Sequence, residues 1–305
     1  MVQPRSPRRF GLTAALIFLV ASVGTSASAD IISLPASALS PSPGVYTPGG
    51  LFTDTLGNIV VMTGGGNAPN VGLASGRNDD GFSGPILLPF AIDFFGTTYN
   101  ELWVNNNGNV SFGGGIAAYT PTGLTGAAQP VISPFFSDVD TRNPASGVTY
   151  LDSNAQRVVV TWGGSSGSPA GVGYYDREAD KLDLFQLVLN DPNNIPAGQG
   201  AIGFFYGQMQ WEVGFASGGQ GGFCPAGTVG ISCFPGAVGF GDGAGNAITI
   251  AGSTQAGISG IVNNQYIWFN KNLTPIPPDV PEPSFLLLLG TGIVAAYRRR
   301  RKVVA

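Results

Sequence analysis

Histidine is absent from all 305 residues. Catalysis by a Ser-His-Asp or Cys-His arrangement is excluded, as is any His-ligated zinc or haem, because each needs an imidazole. Two cysteines and three methionines argue equally against a four-cysteine zinc site, an iron–sulfur framework or a Met-rich groove. Charge is scarce as well, at 10% of residues, against roughly 25% in an ordinary soluble domain. The shortage is mostly of bases. Arg5, Arg8 and Arg9 lie near one end and Arg298 to Lys302 near the other. Residues 30–283 therefore hold six basic residues against all 18 acidic ones, a net of -12. Phosphate backbones would repel such a body, so nucleic acid is not an expected partner. What is present is 43% apolar residues with 19 Phe, 9 Tyr and 4 Trp, enough for one sizeable core and too aromatic for a disordered chain. The 47 glycines and 23 prolines point to many turns rather than helices.

Both ends read as targeting signals. Residues 1–29 form a signal peptide. Arg5, Arg8 and Arg9 make a basic n-region, Phe10 to Val23 an apolar stretch, and Ala27-Ser28-Ala29 the small residues that a signal peptidase accepts, leaving Asp30 first. Arg8-Arg9 raises a twin-arginine route, although Phe10 follows the pair directly; an uncleaved anchor is the other reading. Near the opposite end, a Pro-rich spacer (273–283) leads into a tail (284–305) whose uncharged segment, 285–297, is followed at once by the basic cluster 298–302. Thirteen apolar residues fall short of the ~20 that a stable span needs, and the bases hold their end on the cytoplasmic side. A short apolar helix that tethers the precursor transiently is expected, with a permanent single-pass anchor as the alternative. Val280-Pro281-Glu282-Pro283-Ser284, the apolar run and RRRR together resemble the PEP-CTERM sorting signal of Gram-negative bacteria that make exopolysaccharide. The resemblance implies that an exosortase-type membrane protease recognises Pro281, Glu282 and Pro283 and releases the body to the cell surface or extracellular matrix.

Between the signals the texture is all-β. Residues 30–75, rich in Ser, Pro, Gly and Ala, read as an extended lead-in with at most a hairpin. From 76 to 272, short β-prone runs alternate with Gly/Asn/Pro/Asp clusters, the pattern of an antiparallel β-sandwich. Expected strands are Ile86–Phe90, Phe94–Phe95 with Glu101–Val104, Val110–Phe112, Arg157–Trp162, Leu182–Leu189, Ala201–Tyr206, Ile248–Ile250 and Tyr266–Phe269. Asn105-Asn106-Asn107-Gly108-Asn109 predicts a hairpin turn, since Asn and Gly tolerate positive φ. The non-alternating run LDLFQLVL predicts a strand buried on both faces. Cys224 and Cys233 most simply form a disulfide in an exported chain, closing a loop of roughly 10 residues and contributing ~2–3 kcal/mol; two free thiols are the alternative.

Several segments in order resemble the nidogen-type (NIDO) extracellular domain: FFGTTYNELWVNNNGNVSFGG (94–114), PVISPFFSDVDT (130–141), RVVVTW (157–162), KLDLFQLVLND (181–191), GFFYGQMQW (203–211), AVGFGDG (237–243) and YIWF (266–269). The resemblance implies a β-rich module of matrix and adhesion proteins that acts in cell–matrix adhesion. No EGF-like or other partner module accompanies it, so a basement-membrane ligand does not transfer.

The sharpest polar feature is Asp138-Val139-Asp140. On a strand, residues i and i+2 share a face, which would put the two carboxylates ~6–7 Å apart and suit a shared calcium ion completed by Ser137, Thr141 or Asn143. The alternative is that both cap a turn. No other cofactor is expected. Asp138, Asp140, Asp176, Glu178 and Glu212 could supply a two-carboxylate glycosidase, but no spacing singles out an acid. Gly163-Gly164-Ser165-Ser166-Gly167 fits a nucleophile elbow only by composition, without a histidine to serve it. Asp191-Pro192-Asn193-Asn194 lacks the terminal glutamate of an EF-hand loop. Tyr174, Tyr175, Trp211 and Trp268 are candidates for stacking on sugar rings, or for the core. The sequence thus predicts a secreted or surface-sorted, non-enzymatic adhesion or matrix module. A carbohydrate-binding exopolysaccharide component and a glycan-processing enzyme are the alternatives.

Overall fold

The computed structural model describes residues 31–66, 68–164 and 171–277. Ala27 and Ala29, the triplet Pro281, Glu282 and Pro283, and both expected terminal helices lie outside the described residues. Within them the chain forms three short strands, β1 (Ile31–Leu34), β2 (Ser40–Pro41) and β3 (Asn58–Ile59), then a long hairpin of β4 (Ile86–Phe94) and β5 (Thr97–Asn105). There follow β6 (Asn109–Ser111), β7 (Val131–Phe136), β8 (Val139–Asp140), β9 (Thr149–Asn154), β10 (Arg157–Trp162), β11 (Val172–Tyr174), β12 (Glu178–Asn190) and β13 (Ile202–Met209). Last come β14 (Ala237–Gly241), β15 (Ala247–Ile250), the single α-turn α1 (Ile258–Val262), β16 (Gln265–Phe269) and β17 (Pro275–Ile276). No helix among the described residues is long and apolar enough to cross a membrane.

The strands make two sheets. One has seven strands in the order β1-β15-β14-β7-β6-β5-β4. The other has ten, along the path β17-β16-β13-β12-β10-β9-β3, with β2 on β16 and β11 bridging β12 to β8. The ladders are antiparallel except β1 on β15. The all-β sandwich read from the turn spacing is therefore the fold. Phe94 and Phe240 of the first sheet meet Phe204 and Phe269 of the second, with ring centroids 5.3 Å apart for Phe204–Phe240 and 4.7 Å for Phe240–Phe269.

Strand periodicity decides which residues make this contact. Val158, Val160 and Trp162 of β10 and Phe185, Leu187 and Leu189 of β12 face the inter-sheet core, while Val159 and Val188 face outward. The outward face is buried too. Tyr46 and Phe52 lie across it, 5.1 and 5.3 Å from Phe205. Gln186 fastens them there: its Oε1 accepts the Phe52 and Thr53 amides, and its Nε2 donates to the Thr53 carbonyl and Thr161 Oγ1. Arg157 stacks over Phe52 from the strand side. LDLFQLVL is accordingly covered on both faces, and the second cover comes from 30–75, the segment expected to be a lead-in.

Six of the expected runs fall inside observed strands, Ala201–Tyr206 begins one residue before β13, Val110–Phe112 overlaps β6, and Phe95 lies in the turn after β4. The strands not expected are the ones that carry polar residues or breakers. β7 contains Pro134, tolerated where its pairing with β14 shifts register; β14 contains two glycines, and β9 reads TYLDSN.

The predicted hairpin joins β5 to β6 through Asn106, Asn107 and Gly108, and it lies in the interior: Asn105, Asn106, Asn107 and Asn109 are all buried. Gly108 alone needs the left-handed region, at φ +79°, and a Cβ there would stand 1.9 Å from the Phe135 carbonyl oxygen. Gly108→Ala is expected to lower the unfolding free energy by well over about 1 kcal/mol, measured as a lower denaturant midpoint at unchanged m-value.

A second buried polar group links β12 to the chain beyond β13. Asp183 Oδ1 accepts the Gln210 and Trp211 amides, while Oδ2 has no partner. Burial raises its pKa well above the ordinary value of 3.8, against the pull of the two amides and with Glu212 adding to the rise. A raised folded pKa means that its contribution to stability is full below the unfolded value and is lost as pH climbs through the folded one. Asp183→Asn keeps an acceptor at Oδ1 and removes the titration. At fixed calcium, the melting temperature of the variant should therefore gain on that of the wild type from pH 5 to pH 8; a constant difference across that range would be the contrary result.

Candidate functional site

The acidic cluster forms where two short segments run antiparallel at one end of the sandwich. Asn78 and Thr141 clasp them together: the Asn78 amide donates to Thr141 Oγ1, whose hydroxyl donates back to the Asn78 carbonyl. Asp79 and Asp140 face each other in a β-bridge. Asn78 Oδ1 accepts the Gly81 amide, turning the chain so that Asp79 and Asp80 both approach the bend at Asp138 between β7 and β8. One carboxylate oxygen from each of Asp79, Asp80 and Asp138 lies within 4.8 Å of the others.

Asp140 has a different role. Arg142 grips it with two parallel bonds, Nε to Oδ1 at 2.9 Å and Nη2 to Oδ2 at 2.5 Å. The Arg142 and Arg177 backbone amides complete its shell. Arg142 also reaches Asp79 Oδ2 at 2.9 Å and stands 3.9 Å from the exposed Asp176. The hydrogen bond to Asp140, and then the charges of Asp140 and Asp79, hold the guanidinium pKa above its already high value despite desolvation.

The expected ion shared by Asp138 and Asp140 meets a competing partner in this geometry. Asp138 precedes β8 in a bend, so the i, i+2 rule of a strand does not govern it, and Arg142 already occupies Asp140. The proposed helpers are engaged as well. Ser137 Oγ donates to the Glu212 carbonyl, Thr141 bonds Asn78, and Asn143 bonds Arg177 and Ala145.

Asp138 is left fully buried with both carboxylate oxygens unpartnered. Burial first, then the charges of Asp80, Asp79 and Asp140, push its pKa up to about 8; the Ser217 amide opposes this from outside hydrogen-bonding geometry. Asp79 is pushed up to about 7 by burial and by Asp140 and Asp80, with Arg142 pulling the other way. Burial also raises Asp80, against the hydrogen bond from Asn107. The fourth unpartnered oxygen here belongs to a neutral residue. Asn106 donates its backbone N–H to Gly81 and its Nδ2 to the Val139 carbonyl, which leaves Oδ1 buried without a partner between the segments carrying Asp80 and Asp138.

The other candidates divide between core and surface. Trp211 is fully buried, its indole donating to the Val172 carbonyl; Trp268 is buried and donates to the Tyr46 hydroxyl; Tyr174 is buried against Asp180. Those three rings therefore cannot stack on a sugar. Tyr175 is half-buried and lines an open depression with Asp176, Glu178 and Phe215, the last 67% exposed. Glu212 is buried, accepting the Gly257 amide and the Ser259 hydroxyl. The Cys224–Cys233 disulfide is formed, closing a loop beside this depression. Of the serine elbow pattern, Ser165, Ser166 and Gly167 lie outside the described residues.

Sequence reasoning missed Asp79, Asp80, Asn106 and Arg142. Adjacent aspartates before a glycine, in a body so poor in charge, were the available signal. Removing Arg142 would leave two buried carboxylates without their counter-ion. Arg142→Met is expected to destabilise by about 3–5 kcal/mol, read from denaturant unfolding, with Arg142→Lys recovering only part because it cannot bond Asp140 with two parallel donors.

Residues 52–171 match the family model described as NIDO related, and residues 279–302 match the PEP-CTERM protein-sorting motif. The chain is similar to alpha-tectorin of Mus musculus, at 30% identity over 176 residues covering 47% of this chain and 7% of that protein. It is similarly related to alpha-tectorin of Homo sapiens and of Gallus gallus, each at 29% identity and with the same coverage. The chain thus spans about one-fourteenth of the length of these curated relatives. No solved structure matches it. Both resemblances read from the residues are borne out, and together the two matches mark an exported, surface-sorted protein with a nidogen-like domain.

Proposed function

We propose that this exported protein, with its nidogen-like domain and C-terminal sorting motif, is a non-enzymatic adhesion module of the extracellular matrix. In this reading the precursor is tethered through residues 285–297 until an exosortase-type protease acts at Pro281-Glu282-Pro283. The observation that carries the reading is the pairing of the two matches on one chain: a domain type used in matrix proteins, followed by a tail that directs a protein to the cell surface.

The surface chemistry supports binding rather than turnover. Of the buried acids, Asp140 is held by Arg142, Asp183 and Glu212 accept backbone amides, and Asp176 and Glu178 stand on an open rim. The depression with Tyr175 and Phe215 favours a second reading in which the matrix ligand is a polysaccharide. An exposed aromatic beside carboxylates can pack on the apolar face of a sugar while the acids accept its hydroxyls.

Expressed in an exopolysaccharide-forming Gram-negative cell that carries an exosortase, the chain should be recovered from the matrix fraction without its basic C-terminal cluster. Replacing Pro281, Glu282 and Pro283 by alanine should leave the intact chain with the membrane, seen by mass spectrometry of the two fractions. The processed protein should co-sediment with matrix material without generating new reducing ends. An uncleaved chain in the matrix would overturn the processing step, and new reducing ends would overturn the non-enzymatic reading.

A further inference from the structure

We propose that Asp79, Asp80 and Asp138 hold a calcium ion, with Asn106 Oδ1 as a neutral ligand, and that the ion ties the segment before β4 to the bend after β7. The argument starts from oxygens that the fold leaves without partners. Asp138 is fully buried and both of its oxygens are unpartnered; Asp79 Oδ1 and Asn106 Oδ1 are buried and unpartnered too. Buried polar atoms in native structures are almost always satisfied, and three orphaned carboxylate oxygens in one cluster, with a fourth orphaned oxygen on the turn bonded to Gly81 and Val139, call for a donor or a cation.

The side-chain donors around them are engaged. Arg142 is spent on Asp140 and on the other oxygen of Asp79, and the side-chain amides of Asn106 and Asn107 point to Val139 and to Asp80 and Ala118. The distances suit a cation. Calcium binds oxygens at about 2.3–2.6 Å, so two ligands across one ion stand up to about 5 Å apart, and the three carboxylates each offer an oxygen within 4.8 Å of the others. A mixture of carboxylates and an amide oxygen is calcium chemistry. Magnesium keeps several waters and dehydrates reluctantly, which a site walled by Asp79 and Asp138 disfavours. Asp80 is half-buried and gives the ion its way in. An exported protein meets calcium at the concentrations that weak extracellular sites use. The site is independent of what the domain adheres to.

The test uses the full chain, stripped with a chelator and titrated with calcium chloride by calorimetry, alongside thermal melting. One calcium per chain and a saturable rise in melting temperature are expected, with magnesium giving a much smaller rise. Asp138→Asn should still fold, because it keeps the size of a side chain whose oxygens make no hydrogen bond, and should lose calcium affinity by more than about tenfold. Asp80→Asn, at the half-buried rim, provides the same readout should Asp138→Asn fail to fold. A melting temperature that millimolar calcium and chelator leave unmoved would overturn the proposal, as would binding that survives in both variants or an equal response to magnesium.

Discussion

The fold depends on satisfying the hydrogen bonds of a turn that is not at the surface. A three-residue connection of Asn106, Asn107 and Gly108 is ordinarily a solvent-facing loop tip, where water meets its amides. Here it is buried, so its polar groups need protein partners, and of its asparagine side chains only Asn106 leaves an oxygen without one. Asn105 ties the turn across to Asn109 and Ser111 and receives the Ile116 amide. Asn107 reaches Asp80 and Ala118 and receives the Val139 amide, while the backbone carbonyls of Asn107 and Gly108 accept from Ser137 and Phe135. The Trp162 indole, from the opposite sheet, donates to the Asn105 carbonyl. Four stretches of chain distant in sequence are thereby fixed to one another by a single turn, and glycine is required at the one position where the Phe135 carbonyl presses against it.

The acidic site is a consequence of that turn. The chain carrying Asp79 and Asp80 is positioned by hydrogen bonds from Asn106 and Asn107, and the bend carrying Asp138 by contacts to the same two residues. Asp140 and Arg142 neutralise each other within this frame, a bidentate pair with little exposure and two added backbone donors, which is the geometry in which a buried ion pair holds together. Arg142 is one of only six basic residues between positions 30 and 283. Arg142 also serves Asp79, so with so few cations Asp80 and Asp138 are left without an ion-pair partner among the described residues. Burial raises the pKa of both, and at Asp138 no cation opposes it.

Much of the architecture was legible in the residues because strand burial follows a period of two and β-branched runs are conspicuous between glycines; Arg157–Trp162 was read with the bounds it has. The strands that escaped, around Pro134 and through Gly239, are held by their neighbours rather than by local preference. The role of 30–75 was hidden for a related reason: its composition is that of a linker, and the residues that commit it to the sandwich are scattered, Tyr46 and Phe52 on the outer face of the larger sheet and Val60 and Met62 in the core. Asp138 stood out as an acid in an apolar run, but its partners did not. Asp79 and Asp80 are nearly 60 positions away, and their proximity is a product of the buried turn. The same turn was recognised from NNNG as a hairpin, yet nothing in the tetrad says that it is inside.

A surface-sorted β-sheet protein must keep its sheet edges from joining those of its neighbours. The larger sheet begins at β17, where Pro275 sits within the strand and Pro277 and Pro278 follow, residues that cannot donate to a further ladder. The smaller sheet ends at β4, which carries Pro89 in its exposed row and a register irregularity between Leu87 and Ile92 that interrupts a flat edge. The opposite edge is β1, the one parallel strand, with Ile31 and Ile32 exposed. Two of these three edges are blunted by backbone chemistry rather than by charge, the device that most proteins use and that this chain has too little of to spend. The first residues of the proline-rich segment are thus a structural element: Pro275 and Ile276 form a strand of the sandwich, and Pro277 has no amide with which to extend the ladder.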